Sequence, residues 1–129
     1  MNNRLLVIED NEQNMYLMRF LLEKHGFSVI AAEDGETGVA LALQCDPLAI
    51  LLDIQLPRMN GYAVAAELRK HRCLDGVPVI AVTSYAMLGD REQILAAGTT
   101  GYIEKPINPD TFIAEIRHYL PENLETANE

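Results

Sequence analysis

Five short apolar runs, each three to five residues long, constrain the fold of this 129-residue chain more than any other feature. They cover residues 5–8, 28–32, 49–52, 78–82 and 101–103. Several are continuous rather than alternating, which is typical of strands that are covered on both faces of a parallel sheet. The segments between them have apolar residues at helical spacing, for example Met15, Met18 and Leu22. Strict alternation of five strand–helix units predicts an α/β fold with a parallel sheet.

The residues at the predicted helix boundaries agree with this alternation. Helix caps are predicted at Asp34, Asp90 and Asn108. Asn108 is followed by a proline, the residue favoured at the first helical position, so we expect the last helix to begin there. Gly26 and Gly98 stand where the preceding helices should end.

Composition places the chain among globular proteins of one domain, with 49% hydrophobic and 22% charged residues. A net charge of -9 disfavours nucleic acids and anionic membranes as direct partners. The two cysteines are too few for a disulfide framework or a zinc cluster. No apolar run approaches the roughly 20 residues of a membrane span. We expect a cytoplasmic domain over residues 1–121 and a polar C-terminal tail over 122–129.

Polar residues follow four of the predicted strands. Glu9 and Asp10 follow the first strand, Asp53 the third, Thr83 the fourth and Lys105 the fifth. If these strands are neighbours, three carboxylates, a hydroxyl and an ammonium meet at one edge of the sheet, where α/β proteins bind ligands. Clustered carboxylates need a cation, and Mg²⁺ prefers oxygen ligands. The residues alone therefore suggest Mg²⁺-dependent phosphoryl transfer onto an aspartate.

The same residues resemble a known family, the receiver domains of two-component response regulators. The resemblance covers about residues 4–120 and rests on Glu9-Asp10, the segment 53–61, Thr83-Ser84 and Lys105-Pro106-Ile107. It implies a doubly wound (βα)₅ flavodoxin-like fold, with strand order 2-1-3-4-5 and helices on both faces of the sheet. Among receivers, the chain looks most like stand-alone regulators and the receivers of hybrid kinases, and it could be a segment of such a kinase.

The resemblance also implies roles for the residues at the strand ends. Asp53 would accept the phosphoryl group from a phosphohistidine, and Lys105 would pair with the phosphoryl oxygens. The expected ligands of Mg²⁺ (or Mn²⁺) are Asp10, Asp53, Glu9 through water, and the backbone carbonyl of Gln55. The peptide bond between Lys105 and Pro106 is expected to be cis.

Four residues, two of them already named, are implied in switching and in the lifetime of the phosphorylated form. Thr83 would move toward the phosphoryl group, and Tyr102 would turn inward to fill the space that it leaves. Gln55 and Tyr85 would flank the water that hydrolyses the acyl phosphate, and the bulk of Tyr85 would hinder it.

The expected partners are a histidine kinase or a histidine phosphotransfer protein, and an output protein that contacts helix 4, strand 5 and helix 5, about residues 88–120. The chain would be a monomer or a phosphorylation-dependent dimer. It would catalyse only its own phosphorylation and dephosphorylation, so we do not expect an enzyme.

Two alternatives differ in class. An aspartate-nucleophile phosphatase of the haloacid-dehalogenase type would carry a second Asp two residues after the nucleophile, where this chain has Gln55. A flavodoxin-like flavin carrier would have a Ser/Thr/Gly-rich loop after strand one, where this chain has residues 9–12, Glu-Asp-Asn-Glu.

Overall fold

A five-stranded parallel sheet of order β2-β1-β3-β4-β5 forms the centre of the protein, in a computed structural model that describes residues 3–56, 60–84 and 88–120. The strands are β1 Arg4–Ile8, β2 Ser28–Ala32, β3 Ala49–Asp53, β4 Val79–Thr83 and β5 Gly101–Glu104. The helices are α1 Glu12–Lys24, α2 Gly35–Cys45, α3 Gly61–Arg69, α4 Leu88–Ala96 and α5 Phe112–Tyr119, with a 3₁₀ turn at Arg72–Leu74. The predicted α/β class, parallel sheet and strand order are confirmed.

Helices cover both faces of the sheet, which explains why the apolar runs are continuous. Alternate residues of β1, such as Leu5 and Val7, pack with α1 and α5 on one face. Leu6 and Ile8 pack with α2 and α3 on the other. Every residue of β3 and β4 is buried. A third, smaller cluster under α4 contains Ile54, Ala81 and Ile94, with Tyr62 and Tyr102 packed against it.

Three of the predicted helix boundaries are confirmed. The Asp34 side chain accepts a hydrogen bond from the backbone N–H of Thr37 at 2.7 Å and caps α2. Gly26 and Gly98 follow α1 and α4 with φ of 90° and 108°, a left-handed conformation that side chains rarely adopt.

Two predicted helix starts are wrong. Helix α5 begins at Phe112 rather than at the Asn108–Pro109 pair, because residues 109–111 form a turn before the regular helix. Asn108 caps that turn: its Oδ1 accepts a hydrogen bond from the backbone N–H of Asp110 at 3.0 Å, and its carbonyl accepts one from the backbone N–H of Phe112 at 3.0 Å. Helix α4 begins at Leu88, so Asp90 lies within its first turn and is not the cap. Acidic residues are favoured both at caps and in first turns, so the sequence pattern fits either position.

Two further features of the described residues bear on the predictions. None of the described helices has the length and apolar character that crossing a membrane requires. Cys45 is half-buried, Cys73 is exposed, and both are free thiols. The predicted tail at 122–129 lies outside the described residues.

Candidate functional site

The carboxyl ends of four strands bring the predicted site residues to one edge of the sheet. Asp53 ends β3, and Glu9 directly follows β1, the neighbouring strand. Thr83 ends β4, and Lys105 directly follows β5. All four strands run parallel, so their carboxyl ends lie on the same side.

Three carboxylates lie close together at this edge. Ligand oxygens of Glu9, Asp10 and Asp53 all lie within 4.8 Å of one another. Glu9 and Asp53 are only 1% and 3% exposed, whereas Asp10 is exposed at the mouth of the site. Because like charges at this distance repel, the group requires a cation or a bound proton to be stable.

Lys105 supplies one positive charge to the cluster. Its Nζ lies 3.2 Å from Asp53 Oδ1 and 3.5 Å from Glu9 Oε1. Asp53 Oδ1 also accepts a hydrogen bond from the backbone N–H of Gln55 at 2.9 Å. The backbone N–H of Lys105 donates to the carbonyl of Thr83 at 2.8 Å, and the Lys105–Pro106 peptide bond is cis. The lysine is thus tied to β4 by its backbone and to β3 by its side chain.

The titration of Glu9 is strongly perturbed by its surroundings. Burial, followed by the hydrogen bond and the negative charge of Asp53, raises the pKa of Glu9 from 4.5 to about 7. The backbone N–H of Asn11 and the ammonium of Lys105 act in the opposite direction. Within the described part of the chain, Glu9 Oε1 is a buried oxygen that accepts no hydrogen bond, although Lys105 Nζ lies 3.5 Å away.

These observations fit a hard divalent cation. The donor set is made of carboxylate oxygens only, which is the chemistry that such cations prefer. The unsatisfied Glu9 Oε1 is an acceptor without a donor, and a cation or an ordered water would satisfy it. The cluster of Glu9, Asp10 and Asp53 could therefore hold a metal ion.

The two predicted switch residues lie on neighbouring strands. Ala81 pairs with Tyr102 in the sheet, and Thr83 pairs with Glu104. Thr83 and Tyr102 therefore face the same side of the sheet, offset by two residues in the register of the two strands. Thr83 is completely buried, and Tyr102 is half-buried. Tyr85, predicted to affect the phosphorylated lifetime, lies outside the described residues.

One neighbour of the switch residues was not predicted from the sequence. The guanidinium carbon of Arg91, on α4, lies 5.4 Å from the centre of the Tyr102 ring. A terminal nitrogen of Arg91 also lies 3.8 Å from Glu104 Oε1. No spacing rule links residue 91 to β5, because the contact depends on how α4 packs against the sheet.

The fold and the site together define the receiver class, and comparison with known proteins agrees. The model of the response regulator receiver domain family matches residues 5–117, and the chain belongs to this family of two-component signalling proteins. The family match favours neither the phosphatase nor the flavin-carrier alternative.

The most informative relatives cover nearly the whole chain. The polar-differentiation response regulator DivK of Brucella ovis is 42% identical over 120 residues, which make up 93% of this chain and 98% of DivK. The receiver domain of the sensor histidine kinase PA1611 from Pseudomonas aeruginosa, solved with magnesium coordinated in its active-site cleft, is 32% identical with a TM-score of 0.84, covering 92% of this chain and 98% of that one. The Saccharomyces cerevisiae structure of the histidine phosphotransfer protein Ypd1 with the Ssk1 receiver domain matches at 25% identity and a TM-score of 0.84. The match covers 92% of this chain and 88% of that one.

Proposed function

We propose that this protein accepts a phosphoryl group on Asp53 in a Mg²⁺-dependent reaction and signals through contacts with other proteins. The observation that carries the proposal is the surroundings of Asp53. Its side chain is buried at the end of β3, with Lys105 Nζ at 3.2 Å and the carboxylates of Glu9 and Asp10 within 4.8 Å. A nucleophilic carboxylate beside a fixed cation and a candidate metal site is suited to forming an acyl phosphate.

The metal ligands that we propose are four. They are Asp10 and Asp53 directly, Glu9 through water, and the backbone carbonyl of Gln55. When bound, Mg²⁺ (or Mn²⁺) supplies positive charge to the transferring phosphoryl oxygens. The oxygen-only donor set supports this proposal, as does the magnesium coordinated in the cleft of the related PA1611 receiver.

In the transfer step, a carboxylate oxygen of Asp53 forms a bond to phosphorus as the bond between phosphorus and the donor histidine nitrogen breaks. The histidine nitrogen keeps the electron pair and takes up a proton, so atoms and charge balance. The ammonium of Lys105 stays beside the carboxylate and stabilises the negative charge of the phosphoryl oxygens. Hydrolysis of the acyl phosphate by water returns Asp53. The chain acts on no other substrate in this proposal and is not an enzyme in the usual sense.

The phosphoryl group would then change the surface of the protein. The group carries roughly -1.5 to -2 charge, in place of the single negative charge of the Asp53 carboxylate, next to the end of β4. The Thr83 hydroxyl would turn toward it, and Tyr102, on the same face of the neighbouring strand, would turn inward. The affected surface would be α4, β5 and α5, about residues 88–120, where an output protein or a second copy of the chain would bind.

The phosphoryl donor that we propose is a histidine kinase or a histidine phosphotransfer protein. The Ssk1 receiver, whose fold matches that of this chain, was solved in complex with the phosphotransfer protein Ypd1. The net charge of -9 supports protein partners over nucleic acids or anionic membranes.

The test uses acetyl phosphate or phosphoramidate as the donor, with Mg²⁺, followed by intact mass measurement. We expect the mass of one phosphoryl group to be added to the wild type and to Asp75→Asn, a surface aspartate changed in the same way. Asp53→Asn should gain nothing. The absence of an adduct on the wild type, or an adduct on Asp53→Asn, would refute the proposal.

A second proposal concerns the lifetime of the phosphorylated form. The exposed Gln55 and the residue Tyr85, two positions beyond Asp53 and Thr83 respectively, would flank the hydrolytic water. Because Tyr85 is bulky, we expect Tyr85→Ala to dephosphorylate faster than the wild type when loss of the adduct is followed by mass. An unchanged rate would exclude this role of Tyr85.

A further inference from the structure

A groove between β5 and α5 has a chemistry that the phosphorylation site does not use. Its main cavity has a volume of about 480 Å³ and is lined by Tyr102, Glu104, Glu115 and Tyr119 among others. A second cavity of about 300 Å³ shares three of these residues and continues along α5 to His118. The "β5–α5 groove" therefore offers two tyrosine rings and two carboxylates on one concave surface.

Several contacts hold the α5 side of this groove in place. The ring of Tyr119 lies directly against Gly101, where any Cβ would overlap ring atoms. The ring of His118 meets that of Tyr119 edge-on, with centres 5.0 Å apart. The Thr111 hydroxyl donates to Glu115 Oε2 at 3.4 Å. The side chains of the α5 wall, formed by Glu115 and Tyr119, are thus held in position before any partner binds. This lowers the entropic cost of binding.

The β5 wall of the groove, formed by Tyr102 and Glu104, already contacts an arginine side chain. The guanidinium of Arg91 sits over the ring of Tyr102, 5.4 Å from its centre, and 3.8 Å from Glu104 Oε1. An aromatic ring and a carboxylate together hold a guanidinium here, through cation–π and ionic attraction. The chain's own arginine therefore indicates the type of ligand that a ring and a carboxylate together bind on this surface.

The α5 wall also has an aromatic ring and a carboxylate. Glu115 and Tyr119 are four residues apart on one helix, so their side chains are neighbours, and both line the groove. Among the described residues, no lysine, arginine or histidine nitrogen forms an ion pair with Glu115 within 4 Å, whereas Glu104 is engaged by Arg91. The α5 wall thus has the same ring and carboxylate without the cation.

We propose that the β5–α5 groove binds an arginine side chain of a partner polypeptide, with the guanidinium on Glu115 and the ring of Tyr119. Arginine fits better than lysine because its planar guanidinium both stacks on a ring and pairs with a carboxylate. The role of this contact in output rests on the proposed function, since the groove lies on the surface that phosphorylation would change. The binding itself is a property of the unphosphorylated protein and is tested there.

The first experiment compares two blocked tripeptides, Ala-Arg-Ala and Ala-citrulline-Ala, titrated into the ¹⁵N-labelled, unphosphorylated full chain. Citrulline has nearly the shape of arginine but no charge. We expect the arginine peptide to shift the amide signals of Tyr102, Glu115 and Tyr119, with a dissociation constant on the order of a few millimolar. The citrulline peptide should bind at least about fivefold more weakly. Equal binding of the two peptides, or shifts confined to other surfaces, would overturn the proposal.

The second experiment uses matched variants. Glu115→Gln removes the carboxylate from the groove, and Glu36→Gln removes one from the exposed start of α2, so both variants have the same net charge. We expect Glu115→Gln to weaken binding of the arginine peptide about three- to fivefold, the upper part of the range for an exposed ion pair, and Glu36→Gln to leave it unchanged. Equal effects of the two variants would show non-specific charge attraction and would refute a site. Neither experiment depends on Asp53, so failure here is distinct from failure to phosphorylate.

Discussion

The buried carboxylate of Glu9 makes the stability of the metal-free protein depend on pH in a way that one substitution should remove. In the folded protein the pKa of Glu9 is raised from 4.5 to about 7, mainly by burial and by Asp53. Between these two values the folded protein holds a proton that the unfolded chain releases. The free energy of unfolding therefore falls as pH rises through this range and levels off above it.

The magnitude follows from the same two values. The pKa of Glu9 is 4.5 in the unfolded chain and about 7 in the folded protein. At about 1.4 kcal/mol per pH unit, this difference lowers the free energy of unfolding by about 3 kcal/mol by pH 8. In the wild type, Glu9 Oε2 accepts a hydrogen bond from the backbone N–H of Asn11 at 3.2 Å. Glu9→Gln replaces the carboxylate with a neutral group of the same shape that can still accept this hydrogen bond. We therefore expect the variant to be about 2–3 kcal/mol more stable than the wild type at pH 8 and nearly equal to it at pH 5.

Urea denaturation in EDTA at pH 5 and at pH 8 measures this difference. Glu36→Gln, which removes an exposed carboxylate, is the control for net charge and should follow the wild type at both values. If Glu9→Gln were stabilised no more at pH 8 than at pH 5, ionisation of Glu9 would not cause the pH dependence. If Glu36→Gln gave the same gain in stability, burial of the carboxylate would not be the cause.

Three further substitutions test the fold and the site. Asp34→Ala removes the cap of α2 and should lower the free energy of unfolding by about 1 kcal/mol in urea denaturation. Gly61→Ala would place a Cβ against the backbone of Ile54 and 2.8 Å from the carbonyl oxygen of Asp53, so we expect a loss of more than about 2 kcal/mol in the same assay, because backbone cannot rotate away. Lys105→Met removes the ammonium beside Asp53 and should slow phosphorylation by acetyl phosphate at least about tenfold in a mass-based time course; an unchanged rate would exclude its electrostatic role.

The sequence predicted the sheet and the position of the site because both depend on simple regularities. Runs such as residues 49–52 are apolar without alternation, and the structure buries both faces of β3. Once the sheet is parallel, residues that follow its strands must meet at one edge. Glu9 and Asp53 are 44 residues apart along the chain, and Asp53 and Lys105 are 52 residues apart. In the folded protein, Lys105 Nζ lies within ion-pair distance of both carboxylates.

Features that depend on tertiary packing could not be predicted in this way. Asn108 caps a turn at residues 109–111, and the regular helix α5 begins only at Phe112, because the local sequence does not determine how many residues separate such a cap from the first regular turn. The contact between Arg91 and Tyr102 depends on the placement of α4 over β5. The raised pKa of Glu9 depends on its burial against Asp53, which only the folded structure shows.

We propose that Asp53 receives a phosphoryl group with the help of a metal held by its neighbouring carboxylates. The most direct test is to incubate the protein with acetyl phosphate and Mg²⁺, reduce it with borohydride, and map the peptides by mass spectrometry, because reduction converts an aspartyl phosphate to homoserine. We predict homoserine in place of Asp53, and none when EDTA replaces Mg²⁺. Homoserine at another aspartate would exclude Asp53 as the acceptor, and an equal yield at Asp53 in EDTA would exclude the role of the metal.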